Sequence, residues 1–271
     1  ISFIPQNNLE ASPAGEPQDD PNRLEPEFSK ILPENPYEQY DMKQIIKLLV
    51  DKGDFLEVHE QFAENILVGF ARIDGKAIGV IANQPMYLAG ALDINSSTKA
   101  ARFIRFCDCF NIPIVTLVDT PGYLPGTDQE HNGIIRHGSK LLYAYCEATV
   151  PKVTCIIGKA YGGAYIAMGS KNIRADINYA WPTAEIAVLG PEAAITIVHR
   201  KDLKNSKNPI EIKKKLAKEF REKFANPYIA AEKGIIDLVI DPIETRIMIV
   251  KALNVLQNKR ESRPVRKHGN I

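Results

Sequence analysis

The 271-residue sequence predicts an α/β fold, and three observations carry that expectation. Two short runs, 114–118 and 152–157, are almost wholly apolar and each follows a proline, the pattern of strands buried on both faces. Stretches with apolar residues at helical spacing lie between and after them. Upstream, Ile66-Leu-Val-Gly-Phe-Ala-Arg-Ile73 and Lys76-Ala-Ile-Gly-Val-Ile-Ala-Asn83 flank Asp74-Gly75, a two-residue hairpin signal. Strands alternating with helices build an α/β layer structure.

The other elements follow in chain order. Seven of the 18 prolines lie in the first forty residues, with few aliphatics, so 1–39 reads as an extended linker or wrapping arm. Globular composition starts at Tyr40. Apolar spacing over 42–51 marks a short helix, broken by Asp51-Lys-Gly-Asp54. A helix over 98–110 places Lys99, Arg102 and Arg105 opposite its apolar face. The 114–118 strand ends sharply at Asp119-Thr-Pro-Gly122, where Asp119 is expected to cap the turn. A helix over 133–149 leads into the 152–157 strand, then Gly158-Lys-Ala-Tyr-Gly-Gly163 and a helix from about Ala164. A strand at 177–181 stops at Pro182, and Pro191 suits the first position of another helix. Ile212, Leu216, Phe220 and Phe224 stand four apart on an amphipathic helix whose basic outer face, 213–223, is expected to be solvated. A helix over 243–258 and a basic tail over 259–268 complete the chain.

Composition excludes several function classes. Lys+Arg number 34 against 33 Asp+Glu, and a formal charge of +1 offers no whole-chain attraction for nucleic acid. No apolar run approaches the roughly 18–20 residues of a membrane span. The start, Ile1-Ser-Phe-Ile-Pro5, lacks an initiator Met and a signal peptide's basic and apolar regions, so the chain is expected to begin inside a longer or processed polypeptide. Cys107, Cys109, Cys146 and Cys155 sit in apolar contexts without zinc spacing. They are expected to be buried, reduced thiols of a cytoplasmic protein, with no metal.

Chemistry points to Lys159-Ala-Tyr-Gly-Gly-Ala-Tyr165, where a buried strand meets a helix. Gly162 and Gly163 allow a tight turn and close approach of a ligand. The first N–H groups of a helix lack intrahelical acceptors, so those of Gly163 and Ala164 can point at an oxyanion, which the helix dipole also favours. A bare Gly-Gly is equally the ordinary way to pass from strand to helix with nothing bound. Leu88-Ala-Gly-Ala-Leu-Asp93 is a second small-residue turn, with Gly90 and Ala91 as candidate partners in a two-turn oxyanion hole. No Gly-x-Ser-x-Gly elbow or phosphate-binding loop occurs. The five histidines form no ligand pair, and each is expected to be structural or exposed. A site made of backbone N–H groups would explain why no conventional nucleophile or base stands out.

These residues resemble the carboxyltransferase subunit of biotin-dependent acyl-CoA carboxylases, the propionyl-CoA carboxylase beta type. The likeness runs from Tyr40 through most of the chain. It includes Gly69-Phe-Ala-Arg72, Gly79-Val-Ile-Ala-Asn-Gln-Pro85, Lys99-Ala-Ala-Arg-Phe103 and Phe110-Asn-Ile-Pro113. It continues through Asp119-Thr-Pro-Gly-Tyr-Leu-Pro-Gly-Thr127, Gly133-Ile-Ile-Arg-His-Gly138, Glu147-Ala-Thr-Val-Pro151 and Lys159-Ala-Tyr-Gly-Gly-Ala-Tyr165. Ala180-Trp-Pro182, Asn226-Pro-Tyr228 and the terminal Lys267-His-Gly-Asn270 complete it.

The resemblance implies a crotonase-like spiral of ββα units. It makes 1–39 the interdomain connector and 40–271 the C-terminal, biotin-side domain of a two-domain subunit. The implied cofactor is biotin, arriving as carboxybiotin on the carrier of a biotin carboxylase partner. An N-terminal carboxyltransferase domain would hold most of the acyl-CoA, in a homo-oligomer that is hexameric in the family. By the same resemblance, the N–H groups of Gly163 and Ala164 bind the biotin ureido oxygen, which helps CO₂ leave. The freed biotin nitrogen then takes the acyl α-proton. Gly162, Gly90 and Ala91 complete the expected cofactor-binding set.

Ile166 stands where many members carry Asp and help select acyl length; Gly158 stands where they often carry Arg. Three alternatives stay open. A methylmalonyl- or glutaconyl-CoA decarboxylase subunit would run the transfer backwards and have a membrane partner. A crotonase-type hydratase would need paired glutamates, and no such pair is evident. An assembly domain would have lost catalysis.

Overall fold

The computed structural model describes residues 2–33, 35, 38–206 and 208–262. Among them a single eight-stranded sheet orders the fold: β1 (Phe55–Glu57), β2 (Ile66–Ile73), β3 (Lys76–Asn83), β4 (Ile114–Thr120), β5 (Lys152–Tyr161), β6 (Ile177–Ala180), β7 (Glu185–Ala187) and β8 (Leu238–Val239). The order is β1-β2-β3-β4-β5-β6-β8, with β7 paired to the far end of β5. The first three strands are antiparallel, and from β3 onward neighbours run parallel. The hairpin forms as the sequence predicts: Ile73 faces Lys76, and Asp74 and Gly75 both adopt positive φ.

Alternating side chains of each strand feed two cores, one on each face of the sheet. Ile66, Val68 and Phe70 of β2 face one way, packed with α3 (Ile94–Cys109), α5 (Ile134–Glu147) and α6 (Gly162–Ala167). Leu67, Ala71 and Ile73 face the other way, packed with α2 (Met42–Leu49) and α11 (Thr245–Leu256). Helices on both faces are why β4 reads as an unbroken apolar run; all seven of its residues are buried. The remaining helices are α1 (Phe28–Ile31), α4 (Thr127–His131), α7 (Pro191–Val198), α8 (Arg200–Asn205), α9 (Pro209–Phe224) and α10 (Pro227–Glu232).

A buried ion pair ties three elements at the hairpin tip. Arg246, at the start of α11, donates to Asp51 Oδ1 at 2.5 Å and to the Leu49 carbonyl that ends α2. The same Asp51 carboxylate accepts the N–H groups of Asp74 and Gly75. Residues of the proline-rich stretch lie against this corner. Gly15 donates to the Gly75 carbonyl at 2.8 Å, Arg23 to the Leu48 carbonyl at 2.6 Å, and Phe28 is buried edge-on to Trp181.

The structure corrects several expectations. The helix expected over 98–110 starts at Ile94, because Asp93 and Ser96 form a reciprocal capping box. Lys99 is not on its solvent face: it is buried, and its ammonium donates to the carbonyls of Phe62, Ala63 and Ile66, which lie where no ladder partner satisfies them. Cys107 and Cys155 are buried, but Cys109 is exposed and Cys146 half-buried, since the helix positions they occupy turn away from the sheet. Lys259, the first residue of the basic tail, is tied back to the fold: it donates to Asp176 and to the Val150 carbonyl. The 263–271 stretch, with Lys267-His-Gly-Asn270, lies outside the described residues.

β5 outruns its expected end by four residues and is irregular. Val118 pairs with Ile156 and Thr120 with Ala160, so a two-residue step in β4 matches a four-residue step in β5. The extra residues form a bulge at 157–159.

Candidate active site

At the carboxyl ends of parallel strands an α/β sheet leaves a crevice, and here β5 runs straight into α6. Gly162 makes the turn at φ +58°, and a Cβ there would lie 3.0 Å from the Val188 carbonyl, so only glycine fits without strain. α6 therefore starts two residues before the expected Ala164. The N–H groups of Gly162, Gly163 and Ala164 occupy its first turn, where no intrahelical acceptor exists. The candidate pair is unequal. Gly163 is exposed, with nothing nearer to its Cβ position than the Tyr123 ring at 3.9 Å, whereas Ala164 is fully buried behind it.

Gly163 opens onto a cavity of about 570 Å³, lined among others by Gly162, Ile166, Val188, Leu189 and Phe224. The lining is chiefly apolar, and its rim carries Val188 at 82% exposure and Phe224 at 60%. Of the apolar edge of α9 that the sequence marks, Phe220 and Phe224 line the cavity. Ile166, half-buried one turn into α6, faces the same space as Gly163.

Gly90 and Ala91 do not offer donors to this space. The Gly90 N–H is bonded to the Tyr87 carbonyl at 2.9 Å and the Ala91 N–H to the Leu88 carbonyl at 3.0 Å. The reason is local and topological. Residues 88–90 close into a tight 3₁₀ turn, and that turn follows β3, which β4 separates from β5. The turn that does reach α6 follows β4. Tyr123 lies over Gly163 and against Gly138, and Leu92 and Leu124 bond across to hold this turn to the first one. Pro121-Gly122 reads in the sequence as a strand stop, and a Pro-Gly at the end of a central strand also marks the crevice.

Asp119 is not a turn cap. Thr120 Oγ1 accepts the Gly122 N–H instead, and the Asp119 carboxylate points into the sheet edge. It accepts the Tyr40 hydroxyl at 2.7 Å and the Lys159 N–H at 2.8 Å. Burial pushes its pKa above the usual aspartate value, opposed by these hydrogen bonds. Burial next to Asp119 likewise raises the Tyr40 hydroxyl well above its ordinary value. Asn83, buried at the end of β3, completes the group: its side chain accepts the Asp119 N–H and donates to the Gly90 carbonyl, both at 3.2 Å.

The described histidines do not line this cavity. His137 lies 3.5 Å from Thr98 Oγ1, and His199 pairs with Asp202 at the surface. Among the described residues no three His, Cys, Asp or Glu side chains gather as a metal site, and no helix is long and apolar enough to cross a membrane.

A helix start whose exposed second residue, Gly163, lines an apolar cavity can serve as an anion-stabilising site, and the whole sequence, residues 1–271, matches the carboxyl transferase domain family. The chain belongs to that family. It is 55% identical, over its full length, to the carboxyltransferase subunit of propionyl-CoA carboxylase from Haloferax mediterranei. It is 54% identical over 271 residues to methylmalonyl-CoA decarboxylase subunit alpha from Propionigenium modestum. In each case it spans 52% of the relative, so this carboxyl transferase chain covers about half the length of the curated proteins it matches.

Solved structures agree. The transcarboxylase 12S hexamer crystallised with methylmalonyl-CoA superposes with a TM-score of 0.94 at 48% identity, covering 99% of this chain and 52% of that one. The geranyl-CoA carboxylase beta subunit of P. aeruginosa gives 0.79 at 26% identity, covering 99% and 49%. The crotonase-like α/β architecture implied by the sequence resemblance is the fold of this carboxyl transferase domain.

Proposed function

We propose that the chain is the biotin-side half of an acyl-CoA carboxyltransferase, in which α6 stabilises negative charge on an oxygen of carboxybiotin. One observation carries this reading: the Gly163 N–H, without an intrahelical acceptor, opens onto a cavity whose size and apolar lining suit a small bicyclic ring. Carboxybiotin supplies the transferable carboxyl group, and its ureido oxygen gains negative charge as that group leaves. The Gly163 N–H is the donor an entering ligand reaches; Ala164, covered behind it, adds the next N–H dipole of the same helix end. Apolar walls keep water from competing for that donor, which raises its electrostatic effect. Gly162, by turning the chain at positive φ, sets where the donor points.

Ile166 presents an apolar surface beside the donor and would contact the acyl chain as it approaches. The relatives favour propionyl- and methylmalonyl-CoA as the substrate pair. The exposed apolar rim at Val188 and Phe224 is where the acyl-CoA-holding domain would close over the site. On this reading residues 1–39 are the connector to that domain and 40–271 the catalytic half. Its partners are a biotin carboxyl carrier and further copies of the subunit, assembled in the cytoplasm, with no metal in this half.

The similarity to a methylmalonyl-CoA decarboxylase subunit favours a second reading, the same transfer run from acyl-CoA to biotin. One experiment separates the readings. The chain is combined with the second half of the carboxyltransferase and a biotinylated carrier, and labelled carboxyl transfer is followed in both directions with acetyl-, propionyl- and methylmalonyl-CoA. Forward transfer to propionyl-CoA is expected. Transfer only from methylmalonyl-CoA to biotin supports the decarboxylase reading, and no transfer either way overturns both.

A further inference from the structure

The bulge in β5 raises a question that the fold alone leaves open: what holds it. At 157–159 the strand leaves register with β4, so the Lys159 N–H no longer meets a β4 carbonyl. It donates instead to Asp119 Oδ1 at 2.8 Å, and the other carboxylate oxygen takes the Tyr40 hydroxyl at 2.7 Å. Asp119 is 7% exposed, and besides these two bonds its carboxylate feels the charges of Lys159 and Glu185. Gly158 leaves the carboxylate room in this chain: a Cβ at that position would lie 2.7 Å from the carboxylate carbon, so the Asp119 side chain would have to shift. Lys159, Ala160 and Tyr161 pair with Glu185, Ile186 and Ala187 of β7 and lead without interruption into Gly162 and Gly163.

Resting on the reading of α6 as the anion-stabilising element, we propose that Asp119 is a positioning residue: by filling the Gly158 bulge and holding the Lys159 N–H, it sets the direction in which β5 delivers the Gly163 donor. The chain of bonds extends both ways. Asn83 fixes the Asp119 N–H and the Gly90 carbonyl together, so the turns after β3 and β4 move with β5 as one body. Tyr40, from the edge of the proline-rich stretch, anchors the carboxylate from the other side. A hydrogen-bonded side chain can do here what a ladder bond does in a regular strand, and a donor displaced by about 1 Å loses on the order of a hundredfold in rate.

Three variants test this in the assembled carboxyltransferase with its carrier, alongside Gly163→Pro as a control. Asp119→Ala is expected to lower kcat for carboxyl transfer by about thirtyfold to a hundredfold, with KM for acyl-CoA unchanged within twofold. Asp119→Asn, which keeps an oxygen for the Lys159 N–H, recovers at least tenfold of that loss. Gly158→Ala pushes the carboxylate off its donors and lowers kcat like Asp119→Ala, yet adds nothing when combined with it, because the clash is gone. Should Asp119→Ala not fold, as judged by thermal unfolding, Asp119→Asn and Gly158→Ala carry the test. A kcat within threefold of wild type for Asp119→Ala, or for Gly158→Ala, overturns the proposal, as does full additivity in the double variant. If Gly163→Pro also keeps wild-type kcat, the fault lies in the reading of α6; if it loses activity while the Asp119 variants do not, the fault lies with Asp119 alone.

Discussion

Replacing Gly163 by proline removes one N–H and little else. Gly163 is the second residue of α6, so its N–H has no intrahelical acceptor and the substitution breaks no helix hydrogen bond. A side chain at this position has room at its Cβ, which meets nothing closer than the Tyr123 ring at 3.9 Å. The conformational restriction that proline places on its predecessor falls on Gly162, the residue type that tolerates it best. What is lost is a single preorganised donor, and losing one such donor lowers kcat by about 10²–10³, or roughly 2.7–4 kcal/mol of transition-state stabilisation. Gly163→Ala is the matched control: it keeps the N–H, exchanges glycine for a better helix former, and is expected to melt no lower than wild type. The assay is labelled carboxyl transfer from the carboxylated carrier to propionyl-CoA, with thermal unfolding followed on the same preparations. A folded Gly163→Pro protein with kcat within threefold of wild type would refute the reasoning, because the Gly163 N–H is the donor to which the role is assigned.

Two further predictions follow from packing around the site and beneath it. Ile166→Asp puts a carboxylate into the apolar cavity beside Gly163, and the ratio of acetyl- to propionyl-CoA rates is expected to change at least tenfold, of the order a single pocket contact supplies; an unchanged ratio removes Ile166 from the specificity argument. Arg246→Ala strands the buried Asp51 carboxylate, so denaturant unfolding should show a loss of about 3–5 kcal/mol; a loss under 1 kcal/mol would mean that the Asp74 and Gly75 N–H groups suffice.

Much of the architecture was legible in the sequence because it depends on local periodicity. The 66–73 and 76–83 hairpin, the buried 114–118 run and the Pro191 helix start all follow from side-chain alternation, turn chemistry and proline geometry. The Gly162-Gly163 turn was legible for the same reason. Other residues hid because their roles depend on partners far along the chain. Lys99 reads as a surface lysine on a helical wheel, and only the carbonyls of Phe62, Ala63 and Ile66 show why it turns inward. Gly90 and Ala91 read as free donors, until the 3₁₀ turn is seen to consume both N–H groups. Asp119 and Tyr40, 79 positions apart, carry no local signal of their contact.

The sequence by itself therefore determined the main strands and helices and the Gly162-Gly163 turn between β5 and α6, since these rest on interactions within a few residues; the short β1, β7 and β8 carry no such local signal. Tertiary structure alone decided which of two small-residue turns meets α6, that Gly163 is open while Ala164 is covered, and that a carboxylate fills the β5 bulge. Strand order and register set those outcomes, and both are fixed by contacts between residues that the chain holds far apart.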